Sequence, residues 1–445
     1  MNLRRLAAEI GVKVNWGKVR AGDLLHEAFR SQHLDNRDRR FLSYLLLGSI
    51  RHRLTLDWIV KKFSSAPATE LPPIVRETLR QALYQILFLD RVPLRAAVFE
   101  AVEIIKSCSP KQAAFGNALL RKVAAAATVL EEGTDTTSLP PTRVLPVGQR
   151  PVLFAQDLFP DPAADLPRHL AVVHSHPRWL VKRWLARLGE EETVKLLRHN
   201  NALPRYRLRA NRTRCSADEL RARLEADGVG FEEADGDCLL TLPSEGLKYV
   251  AEGLARFQGF VAGIPATKAA DSPVLELCAA PGGKTLQLCG CGVRVVAADR
   301  SAGRLRRLKE ALVRAKADAL VVCGDSRMVS RWLRTTFRTV LADVPCSNTG
   351  VLAQRAEARW RVSPEEIERL SSLQLELVLG GLDAVETGGT LVYSTCSLDE
   401  TENEAVVRKA LELRPGFELG GEELYLPHRT GEDGGYVAVL KRKGA

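Results

Sequence analysis

The chain has 445 residues, 45% hydrophobic and 27% charged, with a formal net charge of +10. That length accommodates two or three domains with cores of their own, and no apolar run approaches the ~18 residues of a membrane span. The start, Met1-Asn2-Leu3-Arg4-Arg5, leads into charged residues rather than a signal-peptide core, so a cytoplasmic protein is expected.

Residues 1–130 carry 21 of the 64 Lys/Arg and 11 of the 54 Asp/Glu, a net of +10, whereas the remaining residues carry 43 of each sign. All the excess positive charge therefore lies in the N-terminal third, which points to a polyanion such as nucleic acid. Apolar residues there (Leu24-Leu25, Phe29, Phe41-Leu42, Leu45 to Leu47, Ile50, Leu79, Leu83, Ile86 to Phe88, Val98, Ile104-Ile105) recur at helical spacing. Pro72-Pro73 and Pro93 mark helix starts. An all-α domain is predicted over 1–130.

Residues 131–170 read as a linker without helix or sheet, since seven prolines fall between 140 and 167. A small α/β module follows over 171–270. Its elements are a helix from His176-Pro177-Arg178 to Leu188, a basic strand Arg205 to Arg209, a helix Ser216 to Ala226 opened by a capping box, and a strand from Cys238 to Leu242. From 271 to 445 strand, turn and helix alternate. Val274–Leu277, Arg294–Ala298, Leu320–Cys323, Thr339–Ala342 and Thr390–Tyr393 are apolar strand candidates, the pattern of a mostly parallel, Rossmann-like sheet. Gly435 to Leu440 suits a final strand, antiparallel at one edge.

The chemistry lies at the ends of these strands. Cys278-Ala279-Ala280-Pro281-Gly282-Gly283-Lys284-Thr285 is a glycine-rich turn where backbone amides can approach a ligand at a helix N-terminus. Asp299 ends the next strand and is placed for ribose hydroxyls, and Asp325 after the third is placed for an adenine amino group; together they describe an adenosyl cofactor. Two thiols follow later strands, Cys346 in Asp343-Val344-Pro345-Cys346 and Cys396 in Ser394-Thr395-Cys396-Ser397. A cysteine at a helix start or beside a cation is a better nucleophile, with Lys284 the candidate neighbour, although each cysteine alone reads as a small core residue. The other seven (108, 215, 238, 278, 289, 291, 323) form no Cys-x-x-Cys pair, so no disulfide framework or metal site is indicated.

These three motifs resemble the set of the RNA cytosine-C5 methyltransferases. At the front, Asp35 to Phe41, Arg91-Val92-Pro93, Glu100-Ala101-Val102 and Asn117 to Arg121 resemble a NusB-like domain. That pairing is similar to the bacterial Fmu/Sun (RsmB-type) 16S ribosomal RNA methyltransferases, over nearly the whole chain. The resemblance implies S-adenosylmethionine as cofactor, held by Cys278 (through its backbone), Ala279, Ala280, Pro281, Gly282, Gly283, Lys284, Asp299, Asp325 and Asp343. It implies RNA, specifically 16S rRNA, as partner. It implies Cys396 as the nucleophile at cytosine C6, Cys346 as the thiol that resolves the adduct, and Asp343 as the group holding or protonating cytosine N3. Arg205, Arg207, Arg209, Arg212 and Arg214 would grip phosphate.

Two stretches depart from the family pattern, Gly259 to Thr267 and Ala353 to Glu357, although Arg359-Trp360 persists; both stretches are expected near substrate or cofactor. The alternatives are a non-catalytic RNA-binding or ribosome-assembly factor with a relic pocket, and an exocyclic-amine methyltransferase. The latter would need an Asp/Asn-Pro-Pro-aromatic loop, which Asp343-Val344-Pro345-Cys346 is not. A monomer is the default.

Overall fold

The computed structural model describes residues 2–16, 19–64, 70–146, 150–234, 238–241 and 243–444. The chain divides into two compact units, Met1–Ala202 with Arg355–Arg361, and Leu203–Gln354 with Val362–Ala445.

The first unit opens with seven helices, Leu3–Trp16, Ala21–Ser31, Asn36–Arg51, Arg53–Phe63, Pro73–Phe88, Leu94–Cys108 and Ala113–Ala126, as the periodicity predicts. Asp35 starts the third by accepting from the Asp38 amide at 2.8 Å. Pro73 fills the first turn of the fifth, where its missing N–H is not needed. That fifth helix is buried from Val75 to Gln85, and its buried Arg80 pairs with Glu77 and, at 2.6 Å, with Asp57.

The expected linker is corrected here. Three short strands, β1 (Ala127–Val129), β2 (Val144–Leu145) and β3 (Val152–Phe154), form an antiparallel sheet in the order β1-β3-β2. Leu145, Val152 and Phe154 join the core of the helical unit. The prolines flank these strands rather than interrupt them: Pro146 follows β2 and Pro151 precedes β3. Pro162 then opens a helical stretch, Pro162–Val173, broken at Asp165, whose N-cap Asp161 accepts from the Ala163 amide. The next helical stretch, Arg178–Asn201, is broken at Gly189 (φ +78°), so its first helix ends at Leu188, as expected, and a second continues to Asn201. Both helices pack in the first unit, although they lie within or beside the stretch read as the middle module.

The second unit begins with β4 (Tyr206–Ala210), β5 (Phe231–Glu233), β6 (Cys238–Thr241) and β7 (Ala255–Phe257), an antiparallel sheet in the order β5-β6-β4-β7. The capping box at Ser216 and Glu219 is present, with bonds of 2.8 and 3.1 Å.

The main sheet contains β8 (Val274–Leu277), β9 (Val295–Asp299), β10 (Leu320–Cys323), β11 (Phe337–Asp343), β12 (Val385–Thr395), β13 (Phe417–Tyr425) and β14 (Gly435–Arg442). Their order is β10-β9-β8-β11-β12-β14-β13, with the first five parallel. Successive residues alternate between its two faces. Val340 and Leu391 face a core with Leu377, Val378 and Val407, while Leu341 and Val392 face Leu286, Leu305 and Leu308. The last strand is antiparallel, as expected, but it lies inside the edge. The edge itself is β13, which is exposed from Glu418 to Glu423 and therefore lacks an apolar pattern. Chain order reverses between β8 and β11, so the crevice beyond their C-terminal ends is the place for a ligand. Among the described residues no helix is long and apolar enough to cross a membrane.

Candidate active site

Register brings the strand ends together. Leu277 of β8 pairs with Ala298 of β9 and Ala342 of β11, Asp299 with Cys323, and Asp343 of β11 with Ser394 of β12. Each sequence-predicted residue follows one of these ends.

The glycine-rich turn leaves β8 through Cys278 (φ +57°) and Gly282 (φ +106°), and the helix Gly283–Gly290 begins directly after it. A Cβ on Gly282 would lie 2.3 Å from Leu308 Cδ1, whereas one on Gly283 would meet nothing within 4 Å. Burial pushes the Cys278 thiol up to about 12, which suits a backbone role and not a nucleophile. Asp299 is 2% exposed. Its Oδ1 accepts from the Ser301 amide at 2.9 Å, and its Oδ2 has no hydrogen-bond donor, although Arg304 stands 3.3 Å away. A buried acceptor at the end of the second strand fits the ribose hydroxyls of an adenosyl group. Asp325 is differently placed. Arg327 occupies both its oxygens, at 3.0 and 2.6 Å, and holds its carboxyl below the ordinary range, so an adenine amino group would have to share it.

The two thiols meet. Cys346 Sγ and Cys396 Sγ are 3.0 Å apart, and the Cys396 amide donates to Cys346 Sγ at 3.2 Å. Both residues are partly exposed. The contact with Cys396, followed by burial, raises the Cys346 thiol well above its ordinary value. Cys396 Sγ donates to Asn348 Oδ1 at 3.3 Å, and Asn348 Nδ2 donates to the Cys346 carbonyl at 2.8 Å.

Lys284, expected beside a cysteine, forms its ion pair with Asp343: Nζ to Oδ2 is 2.6 Å. Burial alone would lower the Lys284 ammonium, but Asp343 more than offsets this and raises it. Ser394 donates to the other Asp343 oxygen at 2.9 Å. One turn below, buried Glu276 accepts from Thr285 at 2.6 Å.

Sequence reasoning missed Glu402. It is fully buried and accepts from the Ser347 amide at 2.8 Å, from the Ser347 and Ser397 hydroxyls, and from Gln374 Nε2 at 3.0 Å. An acidic residue just before the helix Glu404–Leu413 reads as an ordinary helix-start residue, so no sequence signal separates it from a cap.

Two other expectations change. Arg207, read as gripping phosphate, is 6% exposed and pairs with buried Glu432, its Nε 3.0 Å from Oε2. Arg205 is exposed and faces Glu232 at 3.0 Å, and Arg212 is exposed. Arg359 and Trp360 are bonded inside the first unit, Arg359 to the carbonyls of Ser175 (3.1 Å) and Asn200 (2.9 Å), and Trp360 Nε1 to Ile50 O (2.8 Å). The stretch Gly259 to Thr267 forms most of the helix Phe260–Lys268, whose Val261 and Ala262 amides are capped by Asp433 at 2.9 and 3.1 Å.

The 16S rRNA methyltransferase RsmB/F profile matches residues 266–441, the NusB family profile residues 1–125, and the RsmF/B-like ferredoxin-like domain profile residues 176–242. Ribosomal RNA small subunit methyltransferase B of Escherichia coli (strain K12) is 31% identical over 432 residues, covering 94% of this chain and 92% of that protein. Probable ribosomal RNA small subunit methyltransferase B of Bacillus subtilis (strain 168) is 29% identical over 476 residues, covering 100% and 99%. Among solved structures, PH0851 is similar with a TM-score of 0.78 at 23% identity over 99% of both chains. NSun6 from Pyrococcus horikoshii gives 0.57 at 19% identity, over 61% of this chain and 100% of that one, and both likenesses concern the fold. With its helical front, its middle sheet and its two-thiol α/β sheet matched in turn, the chain belongs to the RsmB/F family of small-subunit ribosomal RNA methyltransferases.

Proposed function

We propose that the protein forms 5-methylcytosine in small-subunit ribosomal RNA through a covalent adduct between Cys396 and cytosine C6. The observation that carries this reading is the pair of thiols 3.0 Å apart at neighbouring parallel strand ends, close to the Lys284–Asp343 ion pair.

Cytosine C5 is a poor nucleophile until an electron pair is pushed into the ring. The Cys396 thiolate adds to C6, and the C5–C6 π pair becomes available at C5. Asp343, fixed by Lys284 and Ser394, would pass a proton to N3 as the electron pair enters the ring and accept from the N3–H so formed, which offsets the developing negative charge. S-adenosylmethionine supplies the electrophilic methyl group when bound. Once Cys396 is held in the adduct, Cys346 gives up its proton to solvent and, as the thiolate, takes the C5 proton; the ring double bond re-forms and the Cys396–C6 bond breaks to return the Cys396 thiolate. The raised proton affinity of Cys346 suits a group that stays a neutral thiol while Cys396 attacks. Cys278 to Lys284, with Asp299, would hold the methyl donor, and Asp325 would do so if it shares its carboxylate with Arg327.

A duplex base is out of reach of this chemistry, so a loop or opened segment is the target. The positive excess of residues 1–130, with exposed Arg37, Lys61 and Lys62, supports phosphate contacts from the helical unit. The test is nucleoside analysis of ribosomal RNA incubated with the protein and labelled S-adenosylmethionine. Label in 5-methylcytidine is expected; label only in a ribose or exocyclic-amine product, or none, would overturn the reading.

A further inference from the structure

A buried carboxylate needs a reason. Glu402 is 0% exposed, and among the described residues no cation pairs with it. Removing such a group from water is expensive unless every lone pair is used. Here the partners are all donors: the Ser347 N–H, the Ser347 and Ser397 hydroxyls, and the Gln374 amide. These donors oppose the upward pull that burial exerts on the Glu402 carboxyl.

The placement of these donors is informative. Ser347 directly follows Cys346, and Ser397 directly follows Cys396, so one side chain reaches the residue next to each thiol. The Ser347 N–H belongs to the peptide that joins it to Cys346, so that bond fixes the orientation of the Cys346 carbonyl. Gln374 also donates to Pro345 O at 3.0 Å, and the Tyr393 hydroxyl donates to the Glu402 carbonyl, anchoring the same network to the helix Pro364–Leu382 and to β12. Thr349 Oγ1 accepts from the Leu398 amide at 2.8 Å, and the Gly350 amide donates to Cys396 O at 2.9 Å, continuing the brace away from the thiols.

We propose that Glu402 is a positioning residue that holds the Cys346 and Cys396 loops in mutual register for adduct formation and resolution. It touches no substrate and acts through Ser347 and Ser397. The role rests on the two-thiol reading above. It goes beyond that reading by assigning the register of the thiols to one buried carboxyl group outside both cysteine motifs. Adduct chemistry demands a thiol placed to within a fraction of an ångström, so loosening the brace should slow bond formation more than it weakens ligand binding.

The experiment uses the full chain in a Cys346→Ala background, where the reading expects the RNA adduct at Cys396 to accumulate. Adduct formation on small-subunit ribosomal RNA is timed on denaturing gels with and without Glu402→Gln. Glu402→Gln should slow adduct formation about 30- to 100-fold while the RNA concentration that half-saturates the adduct rate and the binding of S-adenosylhomocysteine stay within about twofold. Ser397→Ala, which removes one hydroxyl and leaves the carboxylate in place, should slow it about 5- to 10-fold and keeps the test available if Glu402→Gln fails to fold. Unchanged adduct rates in folded Glu402→Gln or Ser397→Ala protein, with only the melting temperature lowered, would overturn the positioning role. No adduct in the Cys346→Ala parent would overturn the two-thiol reading instead, and this role with it.

Discussion

Glu276 gives the site a pH dependence that can be measured without substrate. The residue lies in β8 between β9 and β11, is 1% exposed, and is hydrogen-bonded to Thr285. Burial pushes its carboxyl up to about 8, from an ordinary 4.5, against the smaller opposing effects of Thr285 and Lys284. A folded state that binds the proton more tightly than the unfolded chain is favoured at low pH. The contribution is therefore complete below the unfolded value and is lost as pH rises through the folded one. At ~1.4 kcal/mol for each tenfold change in proton affinity, the loss reaches at most ~5 kcal/mol above pH 8. Glu276→Gln keeps the shape and removes the titration. Urea denaturation of both proteins at each pH isolates this residue, because other groups titrate in both. Relative to the variant, wild type should lose ~1.4 kcal/mol per pH step between about 5 and 8 and then level off. Parallel stability profiles for the two proteins would refute the reasoning.

Arg207→Met should destabilise the second unit by ~3–5 kcal/mol by removing the buried cation that pairs with Glu432, and Arg207→Met with Glu432→Leu should recover part of it. If Arg207→Met instead leaves stability intact and lowers RNA affinity in a salt-dependent way, the phosphate role is restored. Gly282→Ala places a Cβ against Leu308 at φ +106°, so a loss of ~2 kcal/mol or more in chemical denaturation and weaker S-adenosylhomocysteine binding by calorimetry are expected. Asn348 sits at φ +64°, which glycine tolerates. Asn348→Gly should therefore keep the melting temperature and lower kcat ~10-fold through loss of the contact to Cys396, whereas Asn348→Ala should add ~1 kcal/mol of strain.

What the sequence made legible follows from burial. Strands β8, β11 and β12 are covered on both faces and read as apolar runs, so their ends and the motifs after them could be placed. Edge strand β13 is polar along its exposed length and carried no such pattern. The small sheet β1 to β3 was hidden because its strands are two or three residues long and sit among prolines. Arg207 alternates with apolar residues, as on an exposed strand; only the position of Glu432 on a distant segment makes it internal. The thiols, Lys284 and Asp343 were visible because motif chemistry is local. Their pairing, and the role of Glu402, depend on contacts across 50 residues or more of chain, as between Cys346 and Cys396 or Ser347 and Glu402. No local pattern encodes those.

The most direct test of the central claim compares wild type, Cys396→Ala and Cys346→Ala on unmodified small-subunit ribosomal RNA with labelled S-adenosylmethionine. Product is read as 5-methylcytidine and adduct as an RNA-linked protein band. Wild type should turn over, Cys396→Ala should give neither product nor adduct, and Cys346→Ala should accumulate the adduct. Methylation that survives Cys396→Ala, or an adduct that requires Cys346 and not Cys396, would contradict the account.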